Sequence, residues 1–300
     1  MLNRRKVLLS LFNQSERLIS TKRVNLLLAL LALVEEKPSF QFVPTVNGPH
    51  SIDLVHDLRA FEKAGEVTMQ EESITIVEER TDPLSYALDE VEQELLLETL
   101  ATHGSKSEVA LLDEVLAARP FYGIRTERSD GRIEAIRREI LSAPSGLYTL
   151  GYEGLSIDGF INHLIANHVT TVVDVREFAF SRRSEFAKTN LEEALGFGQI
   201  TYIGMPEVGI PTKARKEILE HKSKEELLEY YEVEILPTTA SYATKIAELV
   251  KAGNIALICH EEDPGECHRS HFSAFVLANE PSIGAVHDIR TKDVEERGWW

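Results

Sequence analysis

Five short apolar, β-branched runs, separated by stretches long enough to be helices, occupy residues 147–287, and that alternation admits few folds. Residues 147–150, 170–175, 200–203, 255–259 and 284–287 read as strands. Ser156 caps a helix through residue 167, and further helices are expected over 190–195, 212–232, 237–251 and from Cys267 to residue 277. Strands joined by helical crossovers pair in parallel, whereas antiparallel neighbours need only a tight turn. The expected fold class is therefore α/β: a C-terminal parallel, doubly wound sheet with helices on both faces. A mostly α-helical, winged-helix-like N-terminal domain precedes it.

The N-terminal region obeys another grammar. A Leu/Ala-rich helix over 21–35 starts at Ser20 or Thr21 and stops before Pro38. Residues 40–44 are extended, Asn47-Gly48-Pro49 is a turn, and Ser51 caps an amphipathic helix that Gly65 ends. Residues 67–69 and 74–77 then form a small hairpin. From Pro83 to residue 143 the pattern is helical, broken near 102–105 and 120–123, and Ala143-Pro144-Ser145-Gly146 marks a boundary. The expected domains are 1–80, a helical extension and linker at 81–145, and 146–300.

The string FQFVPTVNGPHSIDLVHDLRAFEKAGEV resembles the middle of the Panacea (SocA-like antitoxin) domain through Gly48, Pro49, Ser51, Leu58 and Gly65. Asn47 and His50 stand where that family carries aromatics. With no catalytic constellation here, the region reads as a recognition or interaction module with a protein partner.

A net charge of −17, from 32 Lys+Arg against 49 Asp+Glu, excludes a protein that coats bulk nucleic acid, since it would repel the phosphates. A local basic patch stays open. The acidity begins late: residues 1–60 hold eight Lys/Arg against five Asp/Glu, and residues 61–100 hold two against twelve. The apolar run at 7–12 is too short for a secretory core, and the longest, at 26–34, is about half of a bilayer span. Two cysteines, Cys259 and Cys267, do not make a disulfide scaffold. A cytoplasmic protein with no membrane association is expected.

In parallel sheets ligands bind beyond the carboxyl ends of the strands. Those ends carry Gly151-Tyr152-Glu153, Asp174-Val175-Arg176, residues 204–209 and residues 259–269. The strings TLGYEGLSIDGFINHL, VVDVREFAFSRRSEF, ITYIGMPEVGIP and ALICHEEDPGECHRSHF, in that order, resemble the family of unknown function DUF488 from about residue 147 onward. The resemblance implies a compact α/β domain with a polar pocket and no settled activity. Ala179 stands where the family commonly has Pro, and His260 extends the small or apolar position after the cysteine.

Asp174 and Arg176 flank Val175, so their side chains leave a strand on the same side, either as a structural ion pair or as a working pair at the strand tip. Ser181, Arg182 and Arg183 offer a hydroxyl and two guanidiniums suited to phosphate or carboxylate, with Arg183 expected to be solvated. Cys259 reads as a buried structural thiol or as a nucleophile; the acidic HEEDPGE segment, with Gly265 where a phosphatase-type loop needs Arg, speaks against the nucleophile. Cys259, His260, Cys267 and His268 are suitable zinc ligand types, and Glu261 or Asp174 would suit a hard cation. Adjacent Cys-His side chains are expected to diverge, and no C-x-x-C spacing exists, so neither a metal site nor a cofactor is expected.

Cys267-His268-Arg269 opens a helix whose N-terminus favours anions. The expected site therefore joins Tyr152, Arg176, Ser181, Arg182 and Arg269 as substrate-binding groups to Asp174, Glu261 and His268 as catalytic ones. Two functions follow. One is an enzyme acting on an anionic small molecule or nucleic acid, with phosphate as the recognised group. The other is a non-catalytic sensing or protein-binding module in a toxin–antitoxin or defence setting.

Overall fold

The structure, a computed structural model, describes residues 2–77, 87–179, 181 and 183–300. They gather into two compact units, Met1–Arg137 with Trp299–Trp300, and Arg138–Gly298.

In the first unit, α1 (Asn3–Asn13) and β1 (Leu18–Ser20) precede α2 (Thr21–Leu31). The Ser20 hydroxyl accepts the Arg23 amide at 3.0 Å, which closes the α2 N-terminus. The helix is buried from Val24 onward, as its unbroken Leu/Ala run requires. β2 (Val43–Thr45) and β3 (Gly48–His50) pair across a tight turn that needs Gly48 at φ +105°. Ser51 caps α3 (Ile52–Lys63) by accepting the Leu54 amide at 3.3 Å. β4 (Val67–Gln70) and β5 (Ser73–Ile76) form the expected hairpin, and β1 adds to it in the antiparallel order β1-β5-β4.

α1 is tied down by charge. Arg4 and Arg5 converge on the buried Asp57 of α3 at 2.7 and 2.6 Å. α4 (Glu90–His103) and α5 (Glu108–Ala118) pack on α2. The onset of helical pattern expected at Pro83 lies outside the described residues. α6 (Gly131–Leu141) contains the division between the units.

The second unit alternates as expected: β6 (Leu147–Gly151), α7 (Ile157–Ala166), β7 (Val169–Asp174), α8 (Lys188–Phe197), β8 (Thr201–Gly204), α9 (Thr212–His221), α10 (Lys224–Tyr230), α11 (Ala240–Ala252), β9 (Asn254–Cys259), α12 (His268–Asn279), β10 (Val286–Asp288) and α13 (Thr291–Glu295). The sheet is parallel throughout, in the order β10-β6-β9-β7-β8. Ser156 caps α7 by accepting the Gly159 amide at 2.9 Å.

Residue parity sorts the two faces. Leu147, Val173, Val175, Ile255, Leu257 and Cys259 enter a core closed by α11 and α12. Tyr148, Leu150, Val172, Ala256 and Ile258 are also buried, on the alternate face, which α7 and α8 cover. The register aligns Gly151 with Cys259, and Asp174 with Ile258 and Gly204, so the carboxyl ends stand in one row.

One helix departs from expectation. Residues 212–232 do not form a single rod, because Ser223 and Glu226 build a capping box that restarts the chain as α10 after an extended Lys222. Among the described residues no helix is long and apolar enough to cross a membrane.

Candidate functional site

A cavity of about 420 Å³ opens at the carboxyl ends of the central strands, lined among others by Tyr152, Arg176, Ser181, Arg215, Cys259 and Glu261. Parity again divides its surroundings, because Asp174 and Arg176 leave one face of the sheet while Val175 and Cys259 leave the other.

On the first face Arg176 is the hub. Its Nε and Nη2 donate to the two Asp174 carboxylate oxygens at 2.8 and 2.6 Å. Nη1 donates to the Tyr152 hydroxyl at 2.8 Å, and both terminal nitrogens donate to the Phe186 carbonyl at 3.1 Å. All five guanidinium N–H groups thus meet protein acceptors. The Tyr202 hydroxyl donates to Asp174 at 2.9 Å, and burial followed by that carboxylate pushes the Tyr202 phenol well above its ordinary range. The Tyr152 ring stacks on Phe186 at 4.2 Å, and burial raises its phenol too, against the pull of Arg176. This is a closed ion pair with an aromatic wall.

On the second face lies a sulfur–imidazole cluster. His268 Nδ1 is 3.7 Å from Cys259 Sγ and 4.0 Å from Cys267 Sγ. Its Nε2 donates to the Val175 carbonyl at 3.0 Å, which assigns the proton to Nε2 and turns the Nδ1 lone pair toward both thiols. The Tyr231 ring packs edge-on against the imidazole, with centroids 5.4 Å apart. Hydrogen bonding with Cys259 and then burial hold the Cys267 thiol far above its usual range. The Cys259 thiol donates to Glu261 Oε2 at 3.3 Å. Burial opposes ionisation of Glu261, but its backbone amide, both thiols and His268 outweigh burial and keep the carboxyl below the usual carboxylate range. Glu261 is therefore a carboxylate that faces the cavity from the edge of the cluster.

Adjacent Cys267 and His268 converge rather than diverge, which corrects the reason for excluding a metal. Cys267 is the extended N-cap of α12, at φ −132° and ψ 135°, and His268 is its first helical residue. That change of backbone swings both side chains to one side. The ligand atoms of Cys259, Cys267 and His268 lie within 4.8 Å of one another.

Arg269 takes a different place from the one expected. It is wholly buried, donates to the carbonyls of Glu261 and, at 2.9 Å, Glu262, and approaches Asp288 at 3.8 Å. It holds the loop after β9 down onto β6 instead of lining the cavity. Gly151 makes this possible, because a Cβ there would strike the Glu261 carbonyl oxygen. Gly209 plays the same part at β7, where a Cβ would strike the Glu177 amide.

The structure thus gathers Tyr152, Arg176, Ser181 and Glu261 along one cavity. Asp174 lies behind Arg176, His268 belongs to the thiol cluster, and Arg182 lies outside the described residues. Arg183 is not simply solvated: it lines the cavity, pairs with Glu185 at 2.9 Å and lies over the Phe186 ring at 4.8 Å. Arg215, one turn into α9, went unnoticed in the sequence because it follows no strand directly. Among the described residues its guanidinium has neither hydrogen bond nor ion pair, and it lines the cavity.

No curated protein and no solved structure gives a significant match to this chain. Residues 156–276, which contain every lining residue of the cavity except Tyr152, match the family described as Domain of unknown function DUF488.

Proposed function

We propose that the C-terminal unit is an enzyme acting on a phosphate-bearing substrate, a nucleotide or a nucleic-acid end, in the cavity at the strand ends. The observation that supports this most is that one cavity is lined both by Arg215, whose guanidinium is uncommitted among the described residues, and by Glu261, a carboxyl held below its usual range. Arg215 binds the anionic group, Ser181 contributes a hydroxyl, and Arg183 joins by giving up its half-buried pairing with Glu185. Glu261, being ionised, acts as general base. Arg176 has no N–H to spare and fixes Asp174 and Tyr152 in the wall.

The N-terminal unit is read as the recognition module of the same cytoplasmic protein. Its order of helices and antiparallel hairpin supports a winged-helix-like, Panacea-like scaffold that docks a protein partner. The competing reading, a sensor without turnover, keeps the anion and drops the base.

Calorimetric and thermal-shift titrations with inorganic phosphate, sulfate, nucleotides and short oligonucleotides test the proposal. A ligand should stabilise the wild type, and Arg215→Ala should weaken it by roughly ten- to a hundredfold, the worth of one charged hydrogen bond. Glu261→Gln should keep binding and lose turnover. If no phosphate compound binds, or Arg215→Ala binds as well as the wild type, the reading fails; binding without turnover of any bound compound leaves the sensor.

A further inference from the structure

We infer that Cys259, Cys267 and His268 form a mononuclear site for zinc or a similar thiophilic divalent cation, with its fourth position beside Glu261. Geometry carries the inference. A tetrahedral ion with bonds of about 2.3 Å to sulfur and about 2.0 Å to nitrogen separates sulfur from nitrogen by roughly 3.5 Å and the two sulfurs by roughly 3.8 Å. The His268 Nδ1 distances of 3.7 and 4.0 Å to the two sulfurs come within a few tenths of an ångström of that edge. All three ligand atoms lie within 4.8 Å of one another, so an ion would draw them inward.

The orientation of the imidazole is an independent observation. A ligating histidine ordinarily donates its other ring N–H to a fixed acceptor, which settles the tautomer and aims the lone pair. His268 does so through Nε2 to the Val175 carbonyl at 3.0 Å, while the Tyr231 ring holds the imidazole from the side. Without an ion the same lone pair accepts from a thiol S–H, so the cluster already has the orientation that a ligating histidine requires.

Charge and access agree with this. Two thiolates neutralise a divalent cation, so the occupied site adds no net charge to its buried surroundings. As the ion enters, each thiol gives up one proton to solvent. Cys259 and Glu261 both line the cavity, which provides a route for the ion and an open side for the fourth ligand. Two thiolates with an imidazole favour zinc over magnesium or calcium, which prefer oxygen.

The test uses the full chain, reduced and stripped of metal, titrated anaerobically with Co²⁺ and then Zn²⁺. One equivalent of Co²⁺ should produce the intense visible bands of a tetrahedral ion and a near-ultraviolet thiolate charge-transfer band. One equivalent of Zn²⁺ should abolish both. Cys259→Ser, Cys267→Ser and His268→Ala should each lose the charge-transfer spectrum or the tetrahedral bands, with circular dichroism reporting whether each variant is folded. Alkylation mapping needs no variant: Zn²⁺ should protect both cysteines of the wild type from maleimide, in partial denaturant as well. Absence of stoichiometric Co²⁺ uptake by the wild type, a spectrum without thiolate charge transfer, or a folded variant that binds like the wild type would overturn the site. The outcome is independent of phosphate binding at Arg215.

Discussion

Arg176 and Asp174 are joined side-on, two nitrogens to two oxygens at 2.8 and 2.6 Å, with both side chains nearly sealed from solvent. An ion pair in this position is not a gain over an apolar pair of the same shape, but it is costly to break by halves, because the surviving charge stays buried. Asp174→Asn should therefore lower stability by about 3–5 kcal/mol, and Asp174→Asn with Arg176→Met should recover part of the loss. Urea denaturation of the full chain measures both. A single variant within about 1 kcal/mol of the wild type would show that the pair is hydrated and loose.

Gly151 should not tolerate a methyl group. The new Cβ would meet the Glu261 backbone, which Arg269 holds in place, so neither side can yield cheaply. Gly151→Ala should cost about 3 kcal/mol, at the upper end for overpacking. Gly154→Ala is the comparison: nothing lies near its Cβ, and it should cost only the strain of a φ of +79°, about 1–2 kcal/mol. Equal melting temperatures for the two variants would contradict this account.

Arg269 should behave as a clamp. Arg269→Met removes the donors that hold the Glu261 and Glu262 carbonyls, each worth about 1.5–3 kcal/mol as a charged hydrogen bond. Amide exchange in residues 260–266 should accelerate more than exchange elsewhere in the second unit. A uniform acceleration would mean that Arg269 contributes packing alone.

Acid should weaken the first unit through His50. Burial pushes its imidazole from 6.5 down to about 4, so the folded chain keeps it neutral while the unfolded chain protonates it below 6.5. The unfolded state binds more protons across that window, hence stability is complete above pH 6.5 and is lost as pH falls toward 4, by about 3 kcal/mol. His50→Gln should flatten this slope in denaturation curves recorded across that range. An unchanged slope would assign the acid sensitivity to carboxylates.

Most of the second unit was legible because its local signals agree. The runs over 170–175 and 255–259 are strands in composition and in fact, within a residue of their ends, and Ser156 and Ser51 cap the helices they precede. The break at Lys222 was hidden, since it rests on a reciprocal capping box rather than on Gly or Pro. Parity placed Asp174 and Arg176 on one side correctly, yet gave no indication that Arg176 would spend every donor internally. That depends on the Phe186 carbonyl and the Tyr152 hydroxyl, which arrive from other elements. Arg215 was invisible for the same reason: only the path from β8 into α9 brings it to the cavity. Cys267 and His268, as sequence neighbours, are expected to diverge, and it is the extended cap residue that turns both to one side.

The tripeptide Asp174-Val175-Arg176 is gripped from two directions, by its own side-chain pair on one face of the sheet and by the His268 imidazole at the Val175 carbonyl on the other. Its backbone leaves the last strand hydrogen bonds already immobilised. A ligand entering the cavity therefore meets a wall whose conformational freedom was surrendered during folding, and none of its contact energy is consumed in ordering that wall. Selectivity at such a surface comes from the fit of a rigid template, with adjustment left to Arg183 and Arg215 at the rim.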